Sequence, residues 1–436
     1  MLIVVRNFIS IFILLFALAP VARAELRIEI TQGVDKPVPI AIVPFGWEGR
    51  GDTPPFDVAA LISADLARSG RFAPLDPDDM LERPTLGRDV DFQDWRLLGI
   101  EVVIVGRLIE TGRDDYTIQF QMFNVYRGEQ LLGYRQPASK TQLRGGSHLV
   151  ADMIYEELTG IRGIFATRIA YITATGGPGA QIFRLIVADP DGENARILVE
   201  SAEPIMSPAW SPDSRKLAYV SFEKQRSEIY IQTLRSGARR RVSSRAGVNG
   251  APVWSPDGRS LALTLSMTDG NLDIYTLNLS NQVLKRLTHG PSIETEPTWS
   301  PDGRWIFFTS DRAGGPQVYR MSANGGTAKR VTFEGAYNAR PRLAPDGQKI
   351  AVVHNDRGNY RIALVDVDRG YTQVLTKGHL DESPSYAPNG ETLIYATRRG
   401  LQGVLGTVST DGRIHRIISS LEGDVREPAW SPFRVN

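Results

Sequence analysis

From residue 168 onward, apolar and polar positions alternate over short stretches separated by breaks rich in Gly, Pro, Asp and Asn. A period of two predicts half-buried β-strands, and breaks such as PDG and NGG predict tight turns between them. In the unit beginning at Pro297 the strands are PTW, WIFFTS from Trp305, QVYRMSA from Gln317 and KRVTF from Lys329. Four strands with their turns use up the unit and leave no residues for a helix.

The same unit recurs. It reads PAWSPDSRKLAYVS from Pro208, PVWSPDGRSLALTLS from Pro252, PTWSPDGRWIFFTS from Pro297, PRLAPDGQKIAVVH from Pro341 and PSYAPNGETLIYAT from Pro384, and it is cut short as PAWSPFRVN from Pro428. The prolines are 44, 45, 44, 43 and 44 residues apart, a period that predicts the blades of a β-propeller. Upstream of the first full unit, RIAYITA from Arg168, QIFRLIV from Gln181 and ARILVE from Ala195 supply three strands that lack an inner partner. Joining them to the final PAWSPFRVN gives a six-bladed ring over residues 164–436, closed by the carboxyl-terminal strand and left without open edges. Trp210, Trp254, Trp299 and Trp430 recur at one register position, which predicts packing between blades rather than ligand stacking.

The pattern before residue 164 differs. PIAIVPF from Pro39 predicts a buried strand, and Val58, Leu61, Ile62 and Leu66 have helical spacing between Asp57 as cap and Gly70 as stop. A short helix follows near 92–98, then the strand EVVIVGRLIE from Glu101 and a hairpin of strands near 116–126 and 130–134. Ser147 is expected to cap a helix striped by Val150, Met153, Ile154 and Leu158, with His148 exposed or locally bonded in its first turn. Residues 25–163 thus predict an α/β domain. At its start Leu26, Ile28 and Ile30 alternate with polar residues before a Pro and Gly break, as in a sheet-edge segment or mobile arm spanning 25–36.

Ahead of that arm, Arg6, the apolar run FISIFILLFALAP and the small residues Ala22 and Ala24 predict an export signal over 1–24, cleaved after Ala24. The run is shorter than the roughly 20 apolar residues that span hydrocarbon. Cleavage changes the formal charge from +1 to −1 by removing Arg6 and Arg23, and a chain this close to neutral lacks the basic field of a nucleic-acid binder. Hydrophobic residues at 42% and charged residues at 23% fit a globular protein. With no cysteine, thiolate-metal and disulfide chemistry are excluded. No G-x-S-x-G elbow occurs, GGSHL from Gly145 included, and TATGGPGA from Thr173 reads as a hairpin turn because no helix follows it. His289 and His379 lack an evident third ligand for zinc, and RSGARRRVSSR from Arg235 reads as a solvated hairpin and outer strand. No catalytic residue, cofactor or metal is expected.

Function is expected where the outermost strand of one blade crosses to the inner strand of the next. Those connections place Glu203, Asn249, Glu294, Glu296, Asn338, Asp381 and Glu382 around one rim, with Arg340 and Arg426 among them and Ile205, Met206, Tyr337 and Leu380 as apolar contacts. An apolar patch rimmed by polar groups is the anatomy of a protein interface.

An export signal, an α/β domain and six PxWSPDG-type blades together resemble the TolB family, periplasmic proteins of the Tol-Pal envelope system. The resemblance covers essentially the whole chain and is most specific in EPTWSPDGRWIFFTSDRAGGPQVYR from Glu296, LDESPSYAPNGETLIYAT from Leu380, VSTDGR from Val408 and the terminal PAWSP. It implies a periplasmic protein that is not an enzyme. Such a protein binds the lipoprotein Pal at the propeller channel mouth and TolA through the arm, supporting outer-membrane invagination at division and envelope integrity; some colicins and phage exploit the system. Carried onto this chain, the Pal surface is Ile205, Met206, Asn249, Glu294, Thr295, Tyr337, Asn338, His379 and Asp381, and the TolA arm includes Glu25, Leu26, Arg27, Ile28, Glu29 and Ile30. The competing readings are a prolyl-oligopeptidase-like hydrolase, whose catalytic domain this sequence lacks, and a propeller that binds or cleaves glycans.

Overall fold

The computed structural model describes residues 36–177, 179–267, 270–418 and 423–434. The export signal and Glu25–Ile30 of the arm lie outside the described residues. Period-two patterning builds the first unit as a sheet covered on both faces. Its elements are β1 (Val38–Ile42), β2 (Gly46–Glu48), α1 (Val58–Ser69), β3 (Phe72–Pro74), α2 (Phe92–Leu97), β4 (Val102–Gly112), β5 (Asp115–Asn124), β6 (Glu129–Ser139) and α3 (Leu143–Thr159). The strands lie in the order β3-β1-β4-β5-β6, with β2 beside β4. β1 runs parallel to β3 and β4, and the rest of the main path is antiparallel. Alternate residues serve opposite faces: Ile40, Ile42 and Ile104 pack under α1 and α3, while Ala41, Val43, Val103 and Val105 pack with Trp95 of α2.

Helix boundaries follow cap chemistry. Asp57 accepts the Ala60 amide at 3.0 Å at the start of α1, and Gly70, at φ +72°, ends it. The expected cap at Ser147 is corrected: α3 begins at Leu143, and Ser147 is buried inside it, donating to the Leu143 carbonyl at 2.9 Å. A Cβ at Gly146 would lie 3.2 Å from Ile118 and 3.3 Å from Ala138. Close packing of helix on sheet suits glycine there.

The remaining strands form six four-stranded antiparallel sheets. Blade one takes Ile169–Thr175, Ile182–Ala188 and Arg196–Ser201 from the start of the propeller and its inner strand, Asp424–Trp430, from the end of the chain. Blades two to six begin with the inner strands Ile205–Trp210, Asn249–Trp254, Glu294–Trp299, Asn338–Leu343 and Glu382–Tyr386. Two tryptophan hydrogen bonds join blades, Trp210 donating to the Ala429 carbonyl at 2.9 Å and Trp254 to the Ala209 carbonyl at 3.1 Å, while Trp430 donates to Thr167 Oγ1 at 2.9 Å, just ahead of the neighbouring strand of its own blade. In each WSPD turn the aspartate accepts a serine hydroxyl and a downstream amide, as Asp257 does from Ser255 and Arg259. The next turn position is left-handed, at φ +68° for Gly258, +70° for Gly303 and +53° for Ser214. Glycine meets no Cβ penalty in that conformation, so Ser214→Gly should stabilise the protein by about 0.5 kcal/mol, read as a higher denaturant midpoint.

Candidate partner-binding rim and channel

Because successive strands are antiparallel, their connections alternate between the two ends of the propeller. The amino-terminal unit sits on the end carrying the WSPD turns. There Arg71 pairs with Glu391, Arg416 donates to the Ala67 carbonyl at 2.8 Å, and Asn389 donates to the Arg162 carbonyl at 3.1 Å. The connections into the inner strands therefore open on the opposite end, away from that unit.

Each inner strand enters the ring with one register relative to its proline. The residues three before it, Ile205, Asn249, Glu294, Asn338, Asp381 and Val425, are at most 2% exposed. The expectation that the polar ones and Ile205 present surface is thus corrected. Ile205 packs in the core between blades one and two. Three of the polar members fasten their connections instead, and Glu294 is held by the neighbouring strand and loop. Asn249 accepts from Ser243 Oγ and the Arg245 amide and donates to the Arg245 and Gly247 carbonyls. Asn338 donates to Gln317 at 3.0 Å and to the Glu334 carbonyl at 2.8 Å, and its Oδ1 lies 2.9 Å from His354 Nδ1. Asp381 accepts from the Gly378 amide and Thr397. Glu294 takes Arg312 and Ser310, leaving its second oxygen buried without a partner among the described residues. A loop peptide that cannot reach water needs such a side chain.

The accessible surface comes from the residues on either side of that position. Met206 is 39% exposed, and Thr295 is half-buried two residues before its proline. Four residues before theirs, Val248 and Ile293 are 45% and 51% exposed, and Tyr337 stands half-buried, edge-on to Tyr360 at 5.2 Å. His379 is exposed, its Nδ1 2.7 Å from Asn359 Oδ1. Val248 and Ile293 escaped the sequence reading, although their fixed spacing from the prolines was visible.

Immediately before each proline stands a residue in the left-handed region: Ser207, Ala251, Glu296, Arg340, Ser383 and Glu427, at φ between +43° and +55°. Each coincides with a register shift in its inner strand, so six bulges ring the channel. Their side chains meet across it. Arg340 of blade five donates to Glu296 Oε1 of blade four at 2.7 Å, bonds Ser383 of blade six and lies 3.9 Å from Glu427 of blade one. Glu296 Oε2 also accepts the Arg340 amide and the Thr309 hydroxyl, and Glu427 accepts the Ser207 amide. Burial works to lower the Arg340 pKa, but Glu296, Glu427 and Glu382 outweigh it, and the guanidinium holds its proton more tightly than usual.

A second polar cluster joins the two units. His148 was expected exposed or locally bonded; it is buried, with Nδ1 2.6 Å from Asp65 and Nε2 3.7 Å from Asp189 of blade one. Burial opposes its protonation, but Asp189 and Asp65 raise its pKa to about 9. Arg144 bridges Asp189 and Asp191, and Arg68 pairs with Asp65. Asp65, His148 and Asp191 could group around a cation, but both arginines already neutralise those carboxylates. Nearby, Asp152 accepts the Phe165 and Ala166 amides, and burial raises its pKa to about 7. A cleft of about 890 Å³ separates the units, lined in part by Arg71, Tyr155, Glu391, Arg413, Ile414 and Trp430. Among the described residues, no helix is long and apolar enough to cross a membrane.

The fold and rim define a two-domain β-propeller protein with an α/β domain on one end and an apolar, side-chain-lined channel mouth on the other. Residues 26–131 match the model of the TolB amino-terminal domain, and residues 155–434 match that of the TolB beta propeller domain. The chain belongs to the TolB family, and its α/β domain followed by a six-bladed propeller is the fold the sequence leads one to expect. It is 52% identical to the Tol-Pal system protein TolB of Thioalkalivibrio sulfidiphilus, over 97% of each chain. It is 51% identical to the protein of that name from Nitrosococcus oceani, over 95% of each. The crystal structure of TolB from Acinetobacter baumannii matches with a TM-score of 0.84 at 42% identity, covering 92% of this chain and 98% of that one.

Proposed function

We propose that this protein is the periplasmic, non-enzymatic interaction component of a Tol-Pal system. It binds the lipoprotein Pal at the channel mouth and TolA through residues 25–36, and so supports outer-membrane invagination during division and envelope integrity. The observation that carries this reading is the mouth itself. Met206, Val248, Ile293 and Tyr337 offer apolar surface on successive blades, held by buried Asn249, Glu294, Asn338 and Asp381 beneath them. Apolar anchors set over a fastened backbone suit a protein partner. Thr295 and His379 complete the accessible Pal surface, while Ile205 supports it from the core. In the arm, Leu26, Ile28 and Ile30 alternate as a strand that adds to a partner's sheet edge does. Colicins that use the same mouth or arm would compete with these partners.

Capture from envelope extracts tests both halves. The exported chain should recover Pal and TolA, the chain lacking 25–36 should keep Pal and lose TolA, and Met206→Ala with Tyr337→Ala should weaken Pal at least about tenfold. Retention of TolA by the shortened chain would refute the arm, and binding of peptidoglycan fragments without Pal would favour a glycan module. We further propose that Pal changes the availability of the arm, because coupling between two sites is reciprocal. Equal TolA affinities with and without saturating Pal would rule that out.

A further inference from the structure

The inner strands have equivalent positions two residues beyond their bulges. Five of these carry short side chains, Ala209, Val253, Thr298, Ser385 and Ala429, and blade five alone carries an arginine, Arg342. Blade packing does not call for a guanidinium here, since the other five blades are built without one. Its hydrogen bond goes to the Pro341 carbonyl at 2.9 Å, and among the described residues no carboxylate comes within ion-pairing distance. The channel carboxylates are already committed, Glu296 to Arg340 and Thr309, and Glu427 to the Ser207 amide. They still act on Arg342 at longer range, and Arg342 lies on the inner strand of its blade, whose unpaired edge borders the channel. Burial holds its pKa below the ordinary arginine value; Glu296 works against that, Arg340 adds to it and Glu427 works against it. The residue is crowded by neighbours yet keeps part of its surface accessible on that inner strand.

We propose that Arg342 is an oxyanion site in the propeller channel, binding a carboxylate or phosphate through its guanidinium fork. A planar fork matched to two oxygens forms the strong, charge-assisted kind of hydrogen bond. The oxyanion is either a free ion or an acidic side chain that the rim-binding partner inserts. The second source rests on the function proposed above; the first does not.

Calorimetric titration of the exported chain at low ionic strength, with inorganic phosphate, acetate and Pal in turn, tests the site. Arg342→Gln is compared with wild type and with Arg240→Gln, an exposed arginine on the outer strand of blade two, after equal melting temperatures establish intact folds. A free-ion site appears as saturable phosphate or acetate binding in wild type and Arg240→Gln that weakens by about tenfold or more in Arg342→Gln. A partner carboxylate appears as no saturable free-ion binding, with an equal loss confined to Pal. If wild type binds Pal but Arg342→Gln matches it toward all three probes, the site is refuted and the rim reading stands. If wild type binds neither free ion nor Pal, both fail together.

Discussion

Removing residues 424–436 should abolish the native propeller rather than shorten it. The lost strand, Asp424–Trp430, is the inner strand of blade one, paired in register with Ile169–Thr175. Without it that neighbour is left with a row of unpaired backbone groups, and a buried peptide group with no partner is costly. Val425 and Trp430 are withdrawn from the core they share with Ile169 and Tyr171, along with the Trp430 bond to Thr167 and the bond from the Arg168 amide to Ser431 Oγ. Truncating one buried tryptophan alone costs about 3–5 kcal/mol, a large part of a typical total stability of about 5–15 kcal/mol. The truncated chain should lose its cooperative denaturation transition and associate through the opened blade, as seen by size-exclusion chromatography. A truncated monomer with the wild-type midpoint would show that the ring does not depend on this strand.

The second large effect is a loss of stability in alkaline solution centred on His148. Its folded pKa is raised from 6.5 to about 9, so the native state binds the proton more tightly than the unfolded chain. The contribution is fully present below about pH 6.5 and is lost as pH rises through about 9, with a magnitude on the order of 2 kcal/mol. Asp152, raised to about 7, acts in the same direction lower on the scale, because deprotonating it in its buried site disfavours the folded state between about pH 4 and 7. Denaturant midpoints compared at about pH 6 and about pH 9.5 should fall for wild type. In His148→Gln the midpoint should already be low at the acid end and change less. An unchanged slope would show that the Asp65–His148–Asp189 contact does not carry the effect.

The fold was legible wherever the chain repeats itself. The WSPD register, the turn glycines and the split first blade follow from spacing alone, because each repeat solves the same packing problem. His148 was not legible, since its partners Asp65 and Asp189 lie in separate elements, one of them in the other unit. The rim was half legible. Polar residues at Asn249, Glu294, Asn338 and Asp381 suggested a solvent-facing ring, but Asn249, Asn338 and Asp381 pin their own connections and Glu294 pairs with Arg312 of the loop after the next strand. Side-chain chemistry alone cannot separate a residue that meets a partner from one that holds the loop meeting it. The bulges were also hidden, because Ser, Ala, Glu and Arg occupy a left-handed conformation that sequence reading reserves for glycine.

Those six bulges set the backbone of the mouth independently of what its side chains are. Ala251 and Arg340 hold nearly the same φ although they share no chemistry, so the conformation is imposed by the surrounding ladder. The positions beside the buried register residue then act as sockets at fixed angles around a circle. Exchanging their occupants rewrites which molecule is recognised while the frame stays put, so a lineage can track a changing partner one side chain at a time.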